Sequence, residues 1–239
     1  MRLQDQRVVI IGGTSGIGLA VAEASVAEGA QVVVASSSQS RVDTAVARLG
    51  AAAIGQVLDV TDSDAAGRLF DSLDVVDHVV YTAGEALWLM PIRDLDLERA
   101  RGFFQTRYFG ALNVVHAAAD HLRPTGSVTL TSGSAGERPG AGWALAASVC
   151  GGVNSLTRAL ALDLAPIRVN AVAPGVARSP LWSQLSEADR NNLYAELGDS
   201  LPVGRVGEVD DIAQAYLYCM TQSYGTGTVL NVDGGSLLV

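Results

Sequence analysis

Lysine is absent from this chain. All 16 basic residues among its 239 positions are arginines, so no side chain can form a Schiff base or act as a lysine acid or base. Cysteine is nearly absent: Cys150 and Cys219 make no disulfide framework and lack metal-ligand spacing. The three histidines, His78, His116 and His121, are scattered and form no zinc pattern. No apolar run approaches the ~18 residues of a membrane span. The short apolar run in "MRLQDQRVVIIGG" has the wrong length for a signal peptide, so a cytoplasmic location is expected. Positive charge is in deficit as well. A formal charge of −9 disfavours a nucleic-acid surface.

What is present is a chain that is 49% hydrophobic and long enough for one large α/β domain. Short β-rich runs alternate with longer helical ones. Strands are expected at 7–13, 30–36, 54–60, 77–84, 126–133, 167–175 and 227–235. Helices are expected at 16–29, 40–50, 62–73, 96–122, 142–165 and 209–220, with Gly29 and Gly50 as C-terminal stops and an Asp start at 62. The alternation implies a single-domain, doubly wound Rossmann-type parallel sheet of seven strands, with helices on both faces. No linker or break in composition divides residues 1–239. The polar stretch 182–200 reads as an insertion, and a segment at about 180–205 is placed where a substrate lid belongs.

"GGTSGIG" (12–18) lies between the first strand and the first helix. Gly12, Gly16 and Gly18 let the backbone turn sharply and approach a pyrophosphate. Thr14, Ser15 and Ile17 lie between them, and the helix N-terminus offers free N–H groups to the anion. An NAD site carries Asp or Glu at the end of the second strand. Here the stretch is "ASSSQSR", with Ser36, Ser37, Ser38 and Arg41. Three hydroxyls and an arginine do not repel a 2′-phosphate, so NADP(H) is favoured over NAD(H). The same serines are also good helix starters. In "DVTD" Asp59, followed by Val60, is a candidate acceptor for an adenine amino group or a turn residue.

On these motifs the chain resembles the short-chain dehydrogenase/reductase family. "YTAG" (81–84), "LTRALALDLAPIRVNAVAPG" (156–175) and "GTGTVLNVDGG" (225–235) extend the likeness over nearly the whole chain. The resemblance implies that Ala83, Gly84, Pro174, Gly175, Val176 and Ser179 lie along the cofactor. It also implies hydride transfer between nicotinamide and a carbonyl carbon, and a homo-oligomer, usually a tetramer and otherwise a dimer. The family's reaction uses an Asn, a Ser, a Tyr and a Lys. Matched without gaps, those slots fall on Arg107, Gly133, Ala146 and Cys150, so all four are changed.

Arg107 is no general acid near neutral pH. It is a candidate for stabilising an oxyanion or for taking the missing cation's position, and equally a candidate for a helix-face salt bridge. Ser134 and Tyr81 are the other candidates for the chemistry, with Tyr81 and Tyr108 also reading as buried packing. General acid catalysis supplies ~10²–10⁴ in rate, and its usual donor is gone. Three functions therefore stay open. One is an NADP(H)-dependent oxidoreductase with altered proton handling and an unidentified small-molecule substrate. The second is a non-catalytic NADP(H)-binding sensor. The third is a structural subunit.

Overall fold

The computed structural model describes residues 1–87 and 89–239. Strands β1 (Arg7–Ile11), β2 (Gln31–Ser36), β3 (Ala53–Val57), β4 (Val76–Tyr81), β5 (Leu122–Thr131) and β6 (Arg168–Pro174) join β9 (Val229–Val232) in one sheet. Its order is β3-β2-β1-β4-β5-β6-β9, and every pair is parallel. Two-residue strands β7 (Ala177–Arg178) and β8 (Gly207–Glu208) pair separately. The chain reverses direction across the sheet at β1, between β2 and β4, and a crevice opens there beyond the strands' carboxyl ends.

Burial on both faces explains the continuous apolar strands. Val8, Ile10, Val32 and Val34 pack on one side with Ile212 and Tyr216. Val9, Ile11, Val33 and Ala35 pack on the other with Phe70, Phe103 and Val114. The first side is covered by α1 (Gly16–Ala27), α2 (Gln39–Leu49) and α8 (Val209–Thr221), and the second by α3 (Ser63–Leu73), α4 (Leu97–Phe104), α5 (Gly110–Ala118) and α6 (Ala144–Asp163). By length and hydropathy α6 passes as a membrane span. Here its Val149, Val153 and Ala161 are part of the core.

Local chemistry sets several boundaries. Asp62 caps α3 by accepting from Asp64 N and Ala65 N. Gly29 and Gly50 follow α1 and α2 with φ of +90° and +75°. Other boundaries differ from the sequence reading. β5 begins four residues earlier than expected, at Leu122. Its pairing with β4 jumps from Val76↔Leu122 to His78↔Ser127, a bulge that accommodates Pro124. The expected insertion at 182–200 contains a helix, α7 (Glu187–Ser200), capped by the Ser186 hydroxyl.

The expected single helix over 96–122 is broken. α4 and α5 are separated by a π-helical turn, Gln105–Phe109, and a 3-10 turn follows at Ala119–His121. The cause is a side chain on β4. Gly110 N donates to Gln105 O, five residues back, and the Tyr81 hydroxyl donates to Thr106 O. A Cβ at Gly110 would come within 2.5 Å of the Tyr81 hydroxyl, so only glycine lets the helix lie on that ring. π turns of this kind recur at functional sites, and this one carries Arg107.

Candidate active site

A cavity of about 710 Å³ runs along the carboxyl ends of the strands. Its floor is the turn after β1. Gly12 has φ +83°, and a Cβ there would stand 2.6 Å from Ala83 N. At Gly18 a Cβ would strike Gly12 O and Thr82 Oγ1. The two glycines therefore hold the start of α1 against β1 and the end of β4 at a distance no side chain permits. Ser15 precedes α1 in extended conformation without a side-chain cap, and the first turn has no acidic residue. Helices α3, α4 and α7 carry side-chain caps and α8 a capping box, whereas α2, α5 and α6 are uncapped like α1. The uncapped N–H groups of α1 face a cavity wall formed by Thr14, Ser15, Gly16, Ile17 and Gly18, a geometry suited to a pyrophosphate.

One end of the cavity is lined by Ser36, Ser37 and Arg41, with Asp59 and Val60 close by. Ser38 is not in that wall; its hydroxyl lies 3.1 Å from the Ser40 hydroxyl at the start of α2. Asp59 Oδ1 accepts from Thr61 N at 2.9 Å and Thr61 Oγ1 at 2.8 Å. These bonds, the backbone one foremost, hold its carboxyl below the usual range. Ala83, Gly84, Pro174, Gly175, Val176 and Ser179 line the rest of the path. The side-chain-free cradle at the start of α1 and the cavity running along the strands' carboxyl ends fit a nicotinamide dinucleotide.

At the other end the cavity wall contains Tyr81, Arg107, Ser132, Gly133, Ser134, Ala146 and Cys150. The Arg107 guanidinium is the only arginine group there among the described residues. Its side chain is 20% exposed, with Nε 3.8 Å from Glu85 Oε2. Nη2 donates to Glu85 O, the guanidinium carbon stands 4.6 Å from the centre of the Phe103 ring, and Nε has no hydrogen-bond acceptor among the described residues. Burial lowers its pKa, opposed by Glu85, Cys150 and Tyr81. A Cβ at Gly84 would lie 2.5 Å from Nη1, so glycine at 84 is what admits the guanidinium.

The other side chains are less suited to proton transfer. Tyr81 is buried, its hydroxyl proton is committed to Thr106 O, and burial raises its pKa. Burial also raises the Cys150 thiol, opposed by Arg107 and Ser132. A Cβ at Gly133 would sit 3.1 Å from Cys150 Sγ, so the two slots meet across the cavity. Ser132 Oγ donates to Asn154 Oδ1 at 2.5 Å, which holds it as part of the scaffold. Ala146 and Cys150 lie one turn apart on α6, on the side that borders the cavity. Tyr108 lies outside the cavity wall, edge-on to Phe109. No His, Cys, Asp and Glu cluster suited to a metal exists among the described residues.

Sequence reasoning missed Glu85, which directly follows "YTAG", and the apolar neighbour Leu87. It also missed a second cavity of about 680 Å³ that shares Leu87, Ser134, Trp143, Val176 and Trp182 with the first.

Residues 1–239 match the family model described as an SDR-like Rossmann domain. The short-chain dehydrogenase/reductase fsr5 of Gibberella fujikuroi is 35% identical, covering 99% of this chain and 96% of its own. Among solved structures, a small-chain dehydrogenase in complex with NADPH is 32% identical with a TM-score of 0.83, covering 99% of this chain and 100% of the other. The MalC reductase/Diels-Alderase of Malbranchea aurantiaca is 30% identical with a TM-score of 0.92, covering 100% of this chain and 98% of the other.

Proposed function

The chain belongs to the short-chain dehydrogenase/reductase family, and we propose that it is an NADP(H)-dependent oxidoreductase of carbonyl-type substrates in which Arg107 replaces the Tyr–Lys pair. The observation that carries this reading is the placement of the Arg107 guanidinium. It shares one cavity wall with Ser134, Ala146 and Cys150. Ser36, Ser37 and Arg41 receive the 2′-phosphate, and the start of α1 receives the pyrophosphate. Ser179 offers its hydroxyl to the carboxamide, as the family resemblance implies. Bound along this path, NADP(H) supplies reversible hydride transfer.

The protein's own contribution is electrostatic. In the reductive direction the acceptor carbon gains a hydride and its oxygen gains negative charge. Arg107, partly shielded from water, stabilises that charge without giving up its own proton. The proton that completes the alcohol comes from solvent, because Tyr81 is locked to Thr106 O and Ala146 has nothing to donate. Removing a single preorganised oxyanion donor typically costs ~10²–10³ in kcat. Arg107→Met should lose that much on the best substrate of an NADPH-coupled carbonyl, quinone and enone panel, and Arg107→Lys should recover part of it. Equal kcat in wild type and Arg107→Met would refute the role.

The second reading is a non-catalytic NADP(H)-binding sensor, and Ala146 with Cys150 in the donor slots favours it. Saturable NADPH binding with no turnover across the whole panel would select it. The exposed apolar Leu238, together with Tyr224 close to edge strand β9, supports a homo-oligomer, dimer or tetramer, which sedimentation velocity distinguishes from a monomer.

A further inference from the structure

The second cavity is assembled from several separate parts of the chain, among them the segment after β4 with Leu87 and Leu89. α7 contributes Leu193 and Leu197, the segment before it contributes Trp182, the loop before α6 contributes Trp143, and the C-terminal tail contributes Val239. Trp182 is buried in a small satellite core with Tyr194, Leu201 and Val206 beneath this cover. Its indole N–H donates to Ala177 O at 3.2 Å, which anchors that edge of the ring. The tail is tied down as well. Arg138 Nη1 donates to Ser236 O at 2.9 Å, and Val203 N donates to Gly234 O at 3.2 Å.

The chemistry of this wall is selective. Arg138 is its only charged side chain among the described residues, and it is engaged with the tail backbone. Among the described residues no Asp or Glu lines the cavity. A sugar or polyol placed here would meet Ser134, Gln184, Ser200 and Ser236 as its uncharged polar side chains against a mainly apolar wall, and each hydroxyl left without a partner costs ~1–3 kcal/mol. A volume of about 680 Å³ lies within the range that encloses a drug-sized ligand. The Leu87, Ser134, Trp143, Val176 and Trp182 boundary joins this space to the Arg107 end of the first cavity. A ligand filling the apolar chamber therefore presents one end, and one polar group, to the reaction centre.

We propose that the second cavity is the substrate chamber, and that it takes neutral, apolar ketones or enones of two to four fused rings and excludes polyols and sugars. The assignment rests on the oxidoreductase reading only for the identity of the reacting group; the shape and polarity of the chamber stand apart from it. Fused rings fit better than flexible chains because Trp143 and Trp182 line the chamber and a rigid ligand loses little conformational freedom on binding.

The test uses the full chain without cofactor, titrated by calorimetry with cyclohexanone, 2-decalone, progesterone and sorbitol, beside a separate NADPH titration. Affinity should rise at least 100-fold from cyclohexanone to progesterone, and sorbitol should show no saturable binding. Leu197→Arg should weaken progesterone at least tenfold while leaving the melting temperature and NADPH affinity near wild type. Val239→Asp, at the exposed tail, provides a second wall variant that does not threaten folding and should weaken progesterone in the same direction. A flat ladder, sorbitol binding comparable to progesterone, or unchanged progesterone affinity in both variants would overturn the assignment. If NADPH fails to bind while the ladder holds, the cofactor reading falls and the chamber stands. If NADPH binds while the ladder is flat, only the chamber falls.

Discussion

Lowering the pH from 7.5 to 5 should cost the fold about 2 kcal/mol through His78 alone. His78 lies on β4 and is 3% exposed. Its Nδ1 is 2.8 Å from Ser127 Oγ and its Nε2 is 2.9 Å from Gln6 Oε1. Burial first and then Arg168 lower its pKa from 6.5 to about 4, with Asp77 opposing the shift. The folded protein therefore keeps His78 neutral where the unfolded chain already protonates. Stability is full above pH 6.5 and falls as the unfolded state takes up the proton. The loss ends as the pH passes below about 4, where the folded form also protonates. Integrated over the window, the loss is about 2 kcal/mol at pH 5 and about 3 kcal/mol at pH 4, against a typical total of ~5–15 kcal/mol. The carboxylates held low act in a different window: Asp211, lowered to about 2 chiefly by Arg205, loses its contribution only as the pH falls below about 4. Urea unfolding at pH 7.5, 6 and 5 on wild type and His78→Gln checks the assignment. Glutamine retains hydrogen-bonding capacity and does not titrate, so the variant's stability should be nearly flat over this range. Parallel pH dependences in the two proteins would refute the reasoning.

Three further outcomes follow from the cofactor path and the vacated donor slots. Ser36→Asp places a carboxylate at the end of β2, where it repels a 2′-phosphate and accepts from a ribose hydroxyl; paired titrations should show NADPH weakened at least tenfold and NADH strengthened. Gly18→Val fills the space between Gly12 O and Thr82 Oγ1, so NADPH binding should be lost in fluorescence titration and the melting temperature should fall. Ala146→Tyr combined with Cys150→Lys restores the family's donor pair beside Arg107. A gain of at least tenfold in NADPH-dependent carbonyl reduction would mean a vacated site, and no gain would mean a pocket rebuilt around the arginine.

The parallel sheet was legible because its strands are buried on both faces and read as unbroken apolar runs such as "RVVII" and "QVVVAS". The turn after β1 was legible because its chemistry is local: glycines, a helix start and no competing cap lie within seven residues. Asp62 and Gly50 could be read for the same reason, since a cap acts within one turn of its own residue. The strand ends were less legible. The pairing jump in β5 depends on what β4 offers, and Pro124 shows only that a ladder bond is missing.

The site's charge had a different fate, because its partners are remote in sequence. Ala100, Phe103, Ala111, Val114 and Ala118 are buried at helical spacing, and Arg107 falls at the gap in that stripe. A lone charge in an apolar stripe is a signal of function that periodicity can carry. Periodicity cannot show what the charge meets. The π turn exists because Tyr81, 25 residues earlier, donates to Thr106 O. The guanidinium is admitted because position 84 has no side chain, and it is held by Glu85, 22 residues away. The two differences at 107 and 150 are therefore coupled through space: the long cation reaches from one helix toward the short thiol on another, and burial lowers the pKa of one group while raising that of the other. Restoring either family residue alone would leave the site with a buried clash or an empty space, so the double variant on α6 has to be read against Arg107→Met in the same background.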